Sequence, residues 1–312
     1  GRGHHWQCRL NGMKISCPFC RKKVPPGNAR RCRHCGCEVA LLRQITTSAH
    51  DSVLLARTGP VATLTLNRPD ALNVLDEAMV DALIPAAADV AADSGIRVLV
   101  VQGAGKHFMA GGDIRTFARE SSRPPDERQR SFQRLVERVQ VAVETLARMP
   151  QAVVARVQGA VAGFGLSLMN ACDLAIASDD AYFAAGYRQI GITPDGGGTW
   201  SLPRIVGQRR ALGILLLGER FGAADALAMG LVNRVVPLAE LDVAVEAVAR
   251  ALADGPREAL SATKRLLRDS LDRTLSGQLQ AEAVSFGRLS ATDDFVEGVA
   301  AFLEKRLPRF SR

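Results

Sequence analysis

The chain has 312 residues, 47% hydrophobic and 23% charged, a composition that suits a globular protein with a full core and a length of about two domains. No apolar run reaches the roughly eighteen residues of a membrane span and no signal-peptide pattern is evident, so the cytoplasm is the expected compartment. The net charge of +8 is confined to one end: residues 1–50 hold ten Lys/Arg against a single acid, Glu38, whereas the other 262 hold thirty bases and thirty-one acids.

Cysteines divide in the same way. Cys8, Cys17, Cys20, Cys32, Cys35 and Cys37 are N-terminal, and Cys172 alone belongs to the remainder, a clustering that fits a metal site and not a dispersed disulfide framework. Cys17-Pro-Phe-Cys20 and Cys32-Arg-His-Cys35 are C-x-x-C pairs eleven residues apart, with Pro25-Pro-Gly27 between them to turn the chain. Four thiolates from two such turns close a tetrahedron around zinc, and the segment resembles a small zinc ribbon. So short a module has too little core to fold alone, so a structural zinc held by Cys17, Cys20, Cys32 and Cys35 is favoured over a redox or catalytic one. His34 and Cys37 are spare ligands. The basic residues suggest nucleic acid, but Trp6 and Phe19 are the only aromatics interleaved with them, and docking on a protein partner or on an oligomer is an equally good reading. Residues 13–40 are taken as this module and 41–51 as a linker. Residues 1–12, which precede Met13, are expected to be a non-native leader and receive no function.

Residues 53–66 read as two short strands around Thr58-Gly-Pro60, the second with alternating apolar positions. Residues 76–92 carry Met79, Val80, Leu83, Ile84 and Ala87 at helical spacing. A β-type run, Val98 to Gln102, leads into the glycine-rich stretch from Phe108 to Asp113. Residues 121–127, with Pro124-Pro125, predict a loop or lid edge before a helix at about 128–148. A second β-type run, Ala152 to Val157, leads into Gly159-Ala-Val-Ala-Gly-Phe-Gly165, a helix from about Leu166, and β-type Leu174 to Ser178. Beyond Pro237 the pattern is helical, with candidates at 241–253, 256–270 and 275–289. Two glycine turns, each after a strand, can aim two backbone N–H groups at one oxygen and stabilise an enolate.

Five ordered motifs then identify a family. They are Leu66-Asn-Arg-Pro-Asp-Ala-Leu-Asn73, Phe108 to Asp113, Gly159 to Asp173, Gly191-Ile-Thr-Pro-Asp-Gly-Gly-Gly-Thr199, and Ala291-Thr-Asp-Asp294 with Phe302-Leu-Glu-Lys-Arg306. From about Ser52 onward the chain resembles the crotonase (enoyl-CoA hydratase/isomerase) superfamily. The resemblance implies an α/β fold: a crotonase-like spiral of ββα units over 52–237, with a C-terminal helical oligomerisation region over 238–312, preceded by the zinc ribbon. It also implies an acyl-CoA thioester substrate, coenzyme A as part of that substrate, no redox cofactor, no membrane, and a homotrimer or dimer of trimers.

The same resemblance places the oxyanion donors at the backbone N–H groups of Ala110 and Phe164, with Gly111 beside the first. It assigns Arg68, Ala71 and Asn73 to the coenzyme A moiety, and Phe286 and Lys305 to its adenine end. Asp113 is expected to structure its loop, because a carboxylate beside an enolate would oppose the developing charge. Hydratases of the family use two glutamates, and the matching positions here are Ser167 and Tyr187, left as substrate-positioning groups. Unperturbed hydroxyls are poor bases at neutral pH, so hydration is disfavoured.

A carboxylate does stand at Asp195, where some isomerases of the family use one, and the segment Ile192 to Trp200 resembles the ring-1,2-epoxyphenylacetyl-CoA isomerases. The expected activity is therefore an isomerase that shifts a double bond or rearranges a ring acyl-CoA, in fatty acid or phenylacetate catabolism. Two alternatives stay open, a hydratase with atypical catalytic groups and a non-catalytic acyl-CoA-binding scaffold. Asp195 also suits an N-cap for the helix opened by Gly196-Gly-Gly198, and Tyr187, Arg188 and His107 are candidates for the pocket edge.

Overall fold

The computed structural model describes residues 52–310, so the zinc-ribbon segment, its four cysteines and the linker lie outside the described residues. Strands β1 (Val53–Thr58) and β2 (Val61–Leu66) form an antiparallel hairpin, from Val53↔Leu66 to Thr58↔Val61. The alternation read in the second strand is realised: Ala62, Leu64 and Leu66 are fully buried, while Val61, Thr63 and Thr65 are half-buried. Helix α1 (Glu77–Ala92) follows, with the Asp76 carboxylate accepting from the Met79 N–H at 2.9 Å. It buries Met79, Val80, Leu83 and Ala87, the stripe its spacing predicts.

After β3 (Val98–Gly103) come α2 (Ile114–Ser121) and α3 (Pro125–Arg148). The sequence reading omits α2, eight residues with no buried side chain, and starts the next helix near 128. Pro125 occupies a first-turn position, where its missing N–H leaves no helical hydrogen bond unmade, so the helix begins earlier. Next are β4 (Ala152–Val157), β5 (Ala160–Ala162), α4 (Phe164–Ala171), β6 (Leu174–Ser178) and β7 (Tyr182–Ala184). Then follow α5 (Gly198–Val206), α6 (Gln208–Leu217), β8 (Phe221–Gly222), α7 (Ala223–Ala228) and β9 (Arg234–Val236). The C-terminal region is helical: α8 (Leu241–Ala253), α9 (Arg257–Ser270), α10 (Leu275–Ser290) and α11 (Asp293–Leu303). The last was read only as a motif, yet the Thr292 hydroxyl accepts from the Phe295 N–H at 3.3 Å and starts a helix there.

The larger sheet has the order β1-β2-β3-β4-β6-β9, parallel from β2 onward, and β5-β7-β8 form a second, smaller sheet. Strand β3 explains why its sequence is continuously apolar. Leu99 and Val101 face the main core with α1 and α4, while Val98 and Val100 face a second cluster made with Leu241, Val245, Ala249 and Ala253 of α8. The result is a mixed α/β fold with a C-terminal helical region.

A charge cluster ties α9 to the large sheet. The Asp173 carboxylate accepts from the Val153 N–H at 2.8 Å and pairs with Lys264 at 2.8 Å and Arg268 at 2.9 Å. Lys264 also donates to the Gln151 carbonyl at 2.9 Å, and Arg268 to the Ala171 carbonyl at 2.9 Å. With these groups between 11 and 23% exposed, Asp173→Ala leaves two cations side by side without their anionic partner, held only by main-chain carbonyls. It is expected to lower unfolding free energy by about 3 kcal/mol in chemical denaturation.

Candidate active site

The segment after β2 closes on itself. A 3-10 turn at Pro69–Ala71 leads into Leu72 and Asn73, both at φ 55, a left-handed conformation that asparagine tolerates better than most residues. The Asn73 side chain is fully buried. Its Oδ1 accepts from the Arg68 N–H at 2.8 Å, and its Nδ2 donates to the carbonyls of Ala104 at 2.9 Å and His107 at 2.8 Å. The loop after β2 and the loop after β3 are thus held together by one amide.

The stretch Phe108 to Asp113 lies extended between that loop and β5. On one side the Ala110 N–H donates to Leu72 O at 3.0 Å, the Leu75 N–H to Gly111 O at 2.7 Å, and the Asp113 N–H to Leu75 O at 2.9 Å. On the other, the Met109 N–H donates to Ala160 O and the Ala162 N–H to Met109 O. This corrects the expected first donor, because the Ala110 N–H is already engaged. Gly112 is the middle residue of the bridge to Leu75, so its N–H faces away from Leu75, and it has no protein acceptor among the described residues.

Gly111, at φ 91, lets the turn press against the second glycine turn. A Cβ there would stand 3.2 Å from Ala162 O, and one on Gly163 would stand 3.4 Å from the Gly111 Cα. Gly163, at φ 50 and ψ −123, ends the second turn and starts α4 two residues earlier than expected. Phe164 is the first residue of that helix, so its N–H has no intrahelical acceptor and carries the positive end of the helix dipole. Two backbone donors, Gly112 and Phe164, therefore flank the contact of the two turns. The Phe164 ring does not stand free: it is 2% exposed and packs where a Cβ on Gly196 would approach it to 2.8 Å.

Asp195 lies beside this point. The Tyr187 hydroxyl donates to its Oδ1 at 2.7 Å, and the Ser167 hydroxyl donates to its main-chain carbonyl at 2.8 Å. Burial raises the Asp195 pKa, and the hydrogen bonds from Tyr187 and from its own N–H offset only part of that rise. Burial, followed by the neighbouring Asp195 charge, pushes the Tyr187 phenol well above its ordinary value. Asp195 does not cap α5. Gly197 holds that position, and the Asp195 carboxylate is turned toward Tyr187 instead.

The comparisons with known proteins bear on this arrangement. The family model described as enoyl-CoA hydratase/isomerase matches residues 56–312. The chain belongs to the enoyl-CoA hydratase/isomerase family. It is 36% identical over 252 residues to the 1,2-epoxyphenylacetyl-CoA isomerase of Escherichia coli K12, covering 80% of this chain and 95% of that protein. It is 33% identical over 263 residues to a crotonyl-CoA hydratase of Syntrophomonas wolfei, covering 84% and 98%. A solved enoyl-CoA hydratase from Polaromonas sp. JS666 matches with a TM-score of 0.78 at 32% identity, over 83% of this chain and 99% of that one. The protein is thus an enzyme of this family, an acyl-CoA substrate is consistent with it, and relatives of both chemistries are about equally similar.

Several positions that the family resemblance assigns to coenzyme A do other work within this chain. The Arg68 guanidinium donates to Val74 O at 2.7 Å and pairs with Asp76 at 3.1 Å and Asp113 at 3.4 Å, joining the carboxylates that cap α1 and α2. Burial raises the Asp113 pKa, but the Arg115 N–H, Arg68 and the Thr116 N–H outweigh it and hold the carboxyl below its ordinary value. The Asn73 amide is engaged by backbone groups on every side, which leaves it no free valence for substrate, and Ala71 is half-buried on its turn. Phe286 on α10 and Lys305 after α11 are exposed, outside the hydrogen-bonded cluster around Asp195. His107 Nδ1 accepts from the Ala160 N–H at 3.0 Å, and Arg188 donates to Leu217 O at 3.0 Å, so both are occupied in holding loops.

Asn73→Ala removes a buried acceptor and a two-way donor at a left-handed position. It is expected to cost about 3 kcal/mol of stability, read as a lower denaturation midpoint with an unchanged slope.

Proposed function

We propose that the enzyme is an acyl-CoA isomerase that moves a double bond by way of an enolate, with Asp195 as its single base. The observation that carries this reading is the buried Asp195 carboxylate with its raised pKa, held by the Tyr187 hydroxyl and tied through Ser167 to α4, the helix that Phe164 opens. With a 3-enoyl-CoA, Asp195 takes a proton from C2 and the electron pair moves through the thioester carbonyl to form a dienolate. The two N–H groups stabilise its oxygen. The same carboxyl then delivers the proton to C4, giving the conjugated 2-enoyl-CoA with no atom gained or lost. A ring acyl-CoA with an acidic proton next to the thioester is a substrate of the same type.

Hydration is the second reading, favoured by the similarity to a named crotonyl-CoA hydratase. It calls for water activation as well as proton delivery, whereas the two hydroxyls at this site belong to Ser167 and to a Tyr187 phenol that burial keeps protonated. We also infer a homotrimer or dimer of trimers. Supporting it are Leu275, Leu279, Val284, Phe286, Val296 and Phe302 on α10 and α11, each more than half exposed, an apolar surface that a lone chain leaves in water.

Asp195→Asn is expected to lower kcat for 3-enoyl-CoA conversion by 10²-fold or more, on the order of what loss of a general base costs, with acyl-CoA affinity retained. Unchanged turnover in this variant, or water addition at wild-type rates, would remove the isomerase reading. For the N-terminal module we propose one structural zinc on Cys17, Cys20, Cys32 and Cys35. Metal analysis of the full chain is expected to find about one zinc per chain, lost on Cys17→Ser with Cys20→Ser. A metal-free wild-type protein would refute it.

A further inference from the structure

Tyr187 is more firmly placed than a residue that merely lines a pocket. Its ring is 7% exposed, and its carbonyl accepts from the Ile190 N–H at 3.1 Å and the Ile192 N–H at 3.2 Å, which fixes the backbone that carries the phenol. Its hydroxyl lies 2.7 Å from Asp195 Oδ1 and 3.5 Å from Ser167 Oγ, while Ser167 anchors the Asp195 main chain from α4. Gly196 and Gly198 close the remaining side. A Cβ on Gly196 would stand 2.8 Å from the Phe164 ring, and one on Gly198 would stand 2.7 Å from Ser167 Oγ, so the main chain here packs closely on α4.

We propose that Tyr187 is a positioning residue that gives the two carboxylate oxygens of Asp195 different duties: Oδ1 is held by the phenol, and Oδ2 alone accepts and returns the substrate proton. This rests on Asp195 being the base. In the first step a C–H bond of the substrate breaks, an O–H bond forms at Oδ2, and the electron pair passes into the enolate. In the second, that O–H bond breaks as the new C–H bond forms. Tyr187 keeps its own proton throughout, because the phenol is buried against the carboxylate.

The groups facing Asp195 make the effect separable. Among the described residues they are Tyr187, which precedes the 3-10 turn at Arg188–Ile190, Ser167 and the Phe164 ring from α4, and the glycine backbone that opens α5, none with a formal charge. The phenol hydrogen bond is therefore the one side-chain interaction favouring the ionised carboxyl against burial. The base works only when ionised, so activity falls as pH drops through the Asp195 pKa, and this acid limb lies above that of an ordinary carboxylate. Loss of the phenol donor moves it higher still.

The test is Tyr187→Phe, which keeps the ring and removes only the hydroxyl, read by the pH profile of kcat/KM on a 3-enoyl-CoA and by carboxyl carbon-13 NMR titration of Asp195. Both the acid limb and the titration midpoint are expected to rise by about one pH unit, with acyl-CoA affinity within about twofold of wild type. An unchanged midpoint and limb would overturn the proposal, as would lost acyl-CoA affinity with an unmoved limb, which would make Tyr187 a substrate contact. Asp195→Asn run alongside separates the two claims. If that variant turns over like wild type, the base assignment fails and this proposal with it. If it is inactive while the Tyr187→Phe profile is unmoved, only the role of Tyr187 falls.

Discussion

Two glycine turns in contact are the constraint on which the rest of the site depends. Gly111 and Gly163 bring their main chains together, and both sit at positive φ, a conformation that a side chain would strain. That approach brings the chain at Gly112 and at Phe164, from segments about fifty residues apart, to one place, as the proposed enolate site requires. Everything around them holds that contact in place. Met109 joins the first turn to β5, the Leu72 to Leu75 loop pairs with its other side, and the Asn73 amide locks that loop to the end of β3.

The polar groups in this region fall into two sets with different energetics. Arg68, Asp76, Asp113 and Asn73 have hydrogen-bond or ion-pair partners within this region, and those of Asp113 hold its carboxyl below its ordinary value. Asp195 is the opposite case: burial works against its charge, and the hydrogen bonds it receives do not make up the difference. A carboxylate kept in that state is a stronger base than one in water, at a cost in stability at neutral pH. The fold tolerates it because the large sheet, buried on both faces, and the Asp173 cluster that fastens α9 supply rigidity elsewhere.

The absence of glutamate at positions 167 and 187 changes what the site can do without changing its architecture. Ser167 and Tyr187 still point to the same place, and both are hydrogen-bonded to Asp195, one to its main chain and one to its side chain. In the proposed reading both hydroxyls act as supports for a single carboxylate. That arrangement suits chemistry in which one proton leaves a carbon and returns to another.

Strands β1 to β4 and β6, the α1 stripe and the C-terminal helices from α8 to α10 were legible in the sequence because apolar periodicity and burial are local consequences of residue order, whereas β5, β7, β8 and β9, of two or three residues each, are too short to show a period. Asp195 stood out for a similar reason, as a carboxylate in a glycine-rich motif. The paired C-x-x-C spacing of Cys17, Cys20, Cys32 and Cys35, on which the proposed zinc rests, is equally plain in the sequence. Other features were decided only by the tertiary structure. Which N–H groups of Phe108 to Asp113 stay free depends on pairing with Leu72 and Leu75, and that pairing engages Ala110 and leaves those of Gly111 and Gly112. The roles of Arg68 and Asn73 depend on partners up to 45 residues away, and the bond from Tyr187 to Asp195 depends on a turn that folds back over α4. A residue's type sets which bonds it can make, and the fold, by deciding which partners come within about 3 Å, sets which it does make.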